Sequence, residues 1–186
     1  YWEEPIRLSH PVSGKSIVLR VNDRAVHLEE NLDSAAIVFE LGDLPLPDSP
    51  PRLVENDKFV KPGVEIGWLG FPAIPNTEIC FFSGRVSTYL ERQQAYLIDG
   101  VAINGVSGGP AFACWQEAEV IGIVSAYIPN RATGDVLPGV SVVREATHFH
   151  DMAERFKSFD DAKQKETPPA EPPPAAEGPE FTPAKK

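Results

Sequence analysis

Short apolar runs, rich in branched and aromatic side chains and cut at close intervals by glycine or proline, commit most of this chain to strands. The runs are Ser16–Val21, Ala35–Leu41, Val64–Leu69, Val86–Leu90, Tyr96–Asp99, Ala111–Ala113 and Glu119–Ser125, with turn chemistry such as Lys61-Pro62-Gly63 between them. Strands at this spacing bury their inner faces by closing into a barrel or stacking as a sandwich, so the expected class is all-β. One segment departs from the pattern. Ala146, Phe149, Met152, Ala153 and Phe156 recur at spacings of three and four, which predicts an amphipathic helix over about 144–158.

Composition then changes. The 28 residues from Phe159 hold seven of the chain's 19 prolines, in runs such as Pro172-Pro173-Pro174, and proline, alanine and glutamate bury too little apolar surface to offset the entropy of ordering. Residues 159–186 are therefore expected to be a disordered linker or solubilising tail, with a ligand for a proline-reading domain as the lesser alternative.

Charge narrows the function classes. A formal net charge of −10 without any cluster of Lys and Arg argues against a nucleic-acid partner. Membrane insertion has no support either, since no apolar stretch approaches the roughly 18 residues of a spanning helix. Cys80 and Cys114 form neither a disulfide framework nor a metal-ligand spacing. Each reads as a small hydrophobe on a strand, and a bond between the two remains open. His148 and His150 lie two apart on the expected helix and project in different directions, a poor metal pair, so no metal or cofactor is implied.

The segment that points to chemistry is Asn104-Gly105-Val106-Ser107-Gly108-Gly109-Pro110. Glycines on both sides let the chain turn through conformations closed to other residues, leaving the Ser107 hydroxyl in surroundings made mostly of backbone. Ser107 is thus a candidate nucleophile, with the Gly105 and Ser107 amides free to converge on one developing oxyanion.

At these residues the chain resembles the trypsin-like serine peptidases, within them the bacterial HtrA-type branch. The resemblance rests on Asp99, Ile103-Asn104-Gly105 and Ser107-Gly108-Gly109-Pro110, on Gly70-Phe71-Pro72 and Phe82-Ser83-Gly84-Arg85-Val86-Ser87 before them, and on Gly122-Ile123-Val124-Ser125 and Pro138-Gly139-Val140-Ser141 after. It spans roughly residues 17 to 157 in the expected order. It implies a two-barrel peptidase domain over 1–158: an incomplete first barrel over about 1–50, a second over about 58–147, and the C-terminal helix.

The resemblance also implies a serine endopeptidase acting on polypeptide through an acyl-enzyme. Asp33, ahead of the apolar run Ala35–Leu41, resembles the family's buried triad carboxylate, although that run is longer than the family's, so a bulge or shifted register is expected. No segment matches the family's histidine. His10, followed by Pro11, is the best placed of those present, and His27 lies on a strand of its own. The chain opens on Tyr1, and Ser16–Val21 already matches a mid-barrel strand. The histidine is therefore expected upstream, and this chain alone is expected not to cleave.

Val106 stands where the animal digestive enzymes carry an aspartate, which disfavours their route of zymogen activation. Carried-over pocket positions are Val101, Ser125, Ala126, Tyr127 and Gly139, all uncharged, implying small or apolar substrate side chains unless Asp135 folds back. The alternative is a catalytically dead homologue that binds peptide as an added strand along the edge around Ser125. Compartment is not legible here.

Overall fold

A computed structural model describes residues 3–10, 12–45, 49–75, 78–114, 117–129 and 136–166. Eleven strands and one α-helix run in chain order: β1 (Ile6–Ser9), β2 (Ser16–Leu19), β3 (Arg24–Glu29), β4 (Ser34–Phe39), β5 (Arg52–Leu53), β6 (Glu65–Gly70), β7 (Cys80–Leu90), β8 (Ala95–Asp99), β9 (Pro110–Cys114), β10 (Ala118–Pro129), β11 (Val136–Glu145) and α1 (His148–Glu166). The all-β class and the terminal helix are as expected.

Six of the strands close on themselves. β6 pairs with β7, β7 with β8, β8 with β11, β11 with β10, β10 with β9 and β9 again with β6, every pair antiparallel. Closure removes the exposed edges that an open sheet would present. The short β5 lies parallel to β10 at Arg52 and Leu53.

The interior follows the period of two. On β6, Ile66 and Trp68 are buried while Glu65 stays exposed, and Val86, Tyr96, Ile98, Ile121 and Val143 join them from the other strands. Ala111 and Ala113 on β9 are fully buried, since a barrel filled by Trp68 and Tyr96 needs small residues opposite. On the outer wall, the Phe81 ring lies where a Cβ on Gly67 would sit. An aromatic ring thus covers the gap that a strand glycine leaves.

The amino-terminal strands form two separate hairpins, β1–β2 and β3–β4. The second pairs from Arg24 opposite Phe39 to Glu29 opposite Ser34 without interruption, so the bulge or register shift expected after Asp33 is absent. A 3-10 turn over Glu30–Leu32 followed by Asp33 in the left-handed region (φ 49°) reverses the chain. The β7–β8 hairpin uses the same device, Glu91–Gln93 followed by Gln94 at φ 46°.

The helix differs from the expected 144–158 at both ends. Arg144 and Glu145 complete β11, opposite Ala95 and Gly122, so α1 starts only at His148. It runs to Glu166 because residues 159–166 contain Ala, Lys, Gln and Glu, good helix formers, and no proline. The tail expected from Phe159 is therefore helical to Glu166; residues 167–186 lie outside the described residues. From Met152 on the chain forms a unit separate from residues 1–151.

Candidate active site

Glycine geometry shapes the loop between β8 and β9. Gly105 has φ +93°, and a Cβ there would lie 2.3 Å from the Phe71 carbonyl oxygen and 2.7 Å from the Ala73 nitrogen. No other residue fits. Val106 N–H donates to Ile103 O at 3.2 Å, so Ile103–Val106 is a turn whose third residue has positive φ, a position that suits glycine. Val106 itself is buried beneath the loop, against Gly70, whose own Cβ would strike it at 2.7 Å.

One hydrogen bond orients the peptide ahead of Gly105. Ala73 N–H donates to Asn104 O at 2.7 Å, and because the peptide is trans, the Gly105 N–H points the opposite way, away from Phe71–Ala73. Neither the Gly105 nor the Ser107 N–H has a hydrogen-bond partner among the described residues. Gly108 N–H donates to Val124 O at 2.8 Å and Val124 N–H to Gly109 O at 2.9 Å, anchoring the far side of the loop to β10.

Ser107 is exposed, and its hydroxyl donates to Ser125 O at 2.8 Å, with Val124 O at 3.5 Å. Ser125 sits at a break in the ladder: Val124 pairs with Val143 and Ala126 with Val142, leaving Ser125 as the extra residue. A bulge re-aims the side chain it carries. Here Ser125 Oγ donates to Asp33 Oδ2 at 2.5 Å, tying the tip of the β3–β4 hairpin to β10. The next residue makes a second tie, Ser34 Oγ with His148 Nε2 at 2.9 Å. Burial holds the His148 ring below the ordinary value of 6.5, partly opposed by a hydrogen bond to the Glu145 backbone and by the charges of Glu29 and Glu145.

Ser107 lies between two clefts. One, of about 290 Å³, is lined by Ala102, Ile103, Asn104, Gly105, Val106, Ser107, Val124 and Ser125. The other, of about 280 Å³, is lined by Asp33, Ser34, Ala35, Ser107, Gly108, Ile123 and Val124. Thus Ser107, Asp33, Ser125 and Gly105, singled out from sequence, come together around these two clefts.

Other expected positions fall elsewhere. His10 lies in the β1–β2 turn with Nδ1 bonded to the Ser13 hydroxyl at 2.9 Å, and His27 pairs with Glu29 at 3.0 Å; neither bonds to Ser107 or Asp33. His150 binds the Val54 carbonyl at 2.7 Å. Val101 is half exposed and outside the first cleft, whose wall is instead Ala102 and Ile103. Gly139 contributes its carbonyl to Gly100 N–H at 2.8 Å. Ala126 and Tyr127 lie on β10, but their side chains, like those of Asp135 and Cys114, lie outside the described residues. The Cys80 thiol is free.

Sequence reasoning missed Ser141. It is buried, accepting from Ala102 N–H and donating to Gly100 O, both at 2.7 Å, and so braces the backbone that becomes the cleft wall. Its position in Pro138-Gly139-Val140-Ser141 marked a strand, and only the partners reveal the role. Among the described residues no group of His, Cys, Asp and Glu is placed to hold a metal, and no helix is long and apolar enough to cross a membrane.

A closed six-stranded antiparallel barrel, with a glycine-bound serine on one loop and a carboxylate brought over from a preceding hairpin, defines the trypsin-like protease fold. No protein-family model matches the chain, and no curated protein sequence matches it. Among solved structures it is similar to the HtrA-type protease AlgW with a decapeptide, at 16% identity and a TM-score of 0.52, over 76% of this chain and 40% of that one. Deg5 is matched at 19% identity and a TM-score of 0.47 over 66% and 58% of the two chains. The inactive form of the protease Rv3671c is matched at 20% and 0.47 over 70% and 67%. The fold is thus that of AlgW, and the chain spans 40% of the length of AlgW and 58% of Deg5, less than two thirds of either.

Proposed function

We propose that this domain is the nucleophile-bearing part of a serine endopeptidase. Ser107 attacks the scissile carbonyl, the Gly105 and Ser107 amides stabilise the oxyanion, and Asp33 orients the neutral imidazole that takes the Ser107 proton and stabilises the imidazolium that forms. The observation that carries this reading is the cleft of about 280 Å³ that Asp33 and Ser107 both line, a volume that would hold an imidazole. The chain's own four histidines bond to Ser13, Glu29, Ser34 and Val54, so the isolated domain lacks an engaged base. The substrate is polypeptide, and the cleft beside Gly105 takes its side chain; among the described residues no charged one lines that cleft, which suits a small or apolar group. AlgW, which has the same fold, is solved with a peptide.

Fluorophosphonate labelling with and without added imidazole tests this. Labelling is expected to be slow for the protein alone, faster once imidazole fills the cleft, and absent in Ser107→Ala. Labelling that ignores both imidazole and the substitution overturns it.

The second reading, a peptide-binding homologue without hydrolytic function, is favoured by the Ser107 hydroxyl donating to the Ser125 carbonyl rather than to a base. It predicts peptide binding along β10 with no serine-specific labelling under any condition.

A further inference from the structure

We infer that Asn104 is a self-modification site, where deamidation through the Asn104–Gly105 peptide converts the loop ahead of Ser107 to an isoaspartyl form. Asn104 is the one asparagine in the sequence followed by glycine. A glycine nitrogen is the least hindered in attacking the preceding side chain, and here the glycine is compulsory, since a Cβ would meet the Phe71 oxygen at 2.3 Å. The pair cannot be relieved from its second position.

Three further features expose it to the reaction. Asn104 is solvent-exposed and its carboxamide has no hydrogen-bond partner among the described residues, so the side chain is free to rotate onto the backbone. The Gly105 N–H is likewise unbonded, because Ala73 holds the carbonyl of the same peptide and turns the nitrogen away. The cleft of about 290 Å³ beside both residues gives water access and lets ammonia leave.

The step balances without any oxidant or reductant. Gly105 N bonds to Asn104 Cγ, the carboxamide C–N bond breaks, and the amide proton leaves with the NH2 group as ammonia, closing a succinimide. Water then opens the ring. Addition at the side-chain carbonyl gives aspartate, and addition at the main-chain carbonyl gives isoaspartate, in which the chain runs through Cβ and Cγ.

Either product alters the loop. Isoaspartate adds a main-chain carbon just before Gly105 and replaces the carbonyl held by Ala73 with a free carboxylate, so the Gly105 amide is no longer aimed. Aspartate keeps the backbone and sets a negative charge beside the place where an oxyanion would form. The loss of Ser107 reactivity that follows rests on the peptidase reading proposed above, whereas the chemical conversion does not.

The test ages the full chain at mildly alkaline pH, folded and in urea, with isoaspartate located by peptide sequencing and by isoaspartyl methyltransferase labelling. The expected result is isoaspartate concentrated at Asn104 in the folded protein, absent from that position in Asn104→Gln, and a proportional fall in imidazole-assisted fluorophosphonate labelling. Conversion in urea with none in the folded chain overturns the inference. Conversion in the folded chain with equal labelling of fresh and aged protein overturns the switching consequence. Conversion with no labelling even of fresh protein supports the modification and counts against the peptidase reading alone.

Discussion

Ser125 Oγ donates to Asp33 Oδ2 across a separation of 92 residues, and this bond brings the candidate carboxylate to the β10 bulge. The β3–β4 hairpin shares no ladder with the barrel, and side chains at its tip, Asp33 and Ser34, bond to Ser125 and His148. Asp33 is exposed and Ser125 half-buried, which discounts a charge-assisted bond to about 0.5–1 kcal/mol. Ser125→Ala and Asp33→Ala are each expected to lower the urea-unfolding free energy by that amount. The double substitution should cost less than the sum of the two. Strict additivity in the cycle would mean the two residues do not interact in solution.

The neighbouring tie, Ser34 to His148, carries a pH signature. Burial favours the neutral ring, so the unfolded chain binds a proton at His148 more readily than the folded protein does. The contribution to stability is complete above 6.5 and is lost as pH falls through the lower folded value. NMR titration of the His148 ring should give a midpoint below 6.5, and His148→Gln should flatten the dependence of stability on pH in that range. A midpoint at or above the ordinary value would show that burial does not outweigh the Glu145 backbone bond and the charges of Glu29 and Glu145.

The barrel was readable in the sequence because its signals are local. Short apolar runs on β6 and β8, and turn residues at Lys61-Pro62-Gly63, act within a few positions. Ser107 was legible for the same reason: glycines at 105, 108 and 109 announce a backbone shape by themselves. What stayed hidden depends on distant partners. Nothing near Ser141 in sequence shows that it bonds Gly100 and Ala102, and nothing around His148 reveals Ser34. The helix start was misplaced because Ala146 fits its apolar stripe, yet the Ala146 amide donates to Ile121 O and so still belongs to the barrel edge.

Gly109 is a sharper test of the loop than Gly105, because its φ is ordinary and space alone forbids a side chain there. A Cβ on Gly109 would lie 2.0 Å from the Leu69 oxygen and 2.9 Å from the Val106 oxygen, and backbone on both sides cannot yield cheaply. Gly109→Ala is expected to cost about 3 kcal/mol or more in thermal or urea unfolding. Gly108→Ala meets nothing within 4 Å but forces alanine to φ +84°, a strain of about 1–2 kcal/mol. Reversal of that order would mean that the loop is not packed against β6 as described.

At the carboxyl end of β11, Glu145 is buried with its carboxylate accepting from the Tyr89 hydroxyl and from Thr147 Oγ1. Removing one donor leaves a buried charge with less compensation, so Tyr89→Phe is expected to lower stability by about 1.5–3 kcal/mol. The phenol also has a readout of its own. Burial first, then the hydrogen bond and charge of Glu145, hold Tyr89 well above the ordinary tyrosine value of 10.0. Because the shift is upward, its contribution to stability is present below that value and is lost as pH rises through the folded one. Alkaline absorbance titration should therefore find a phenol that resists ionisation in the native protein. In Glu145→Gln that phenol should ionise at lower pH, although burial keeps it above 10.0. If the substitution leaves the titration unchanged, desolvation alone holds the proton, and the bond between Tyr89 and Glu145 contributes nothing to it.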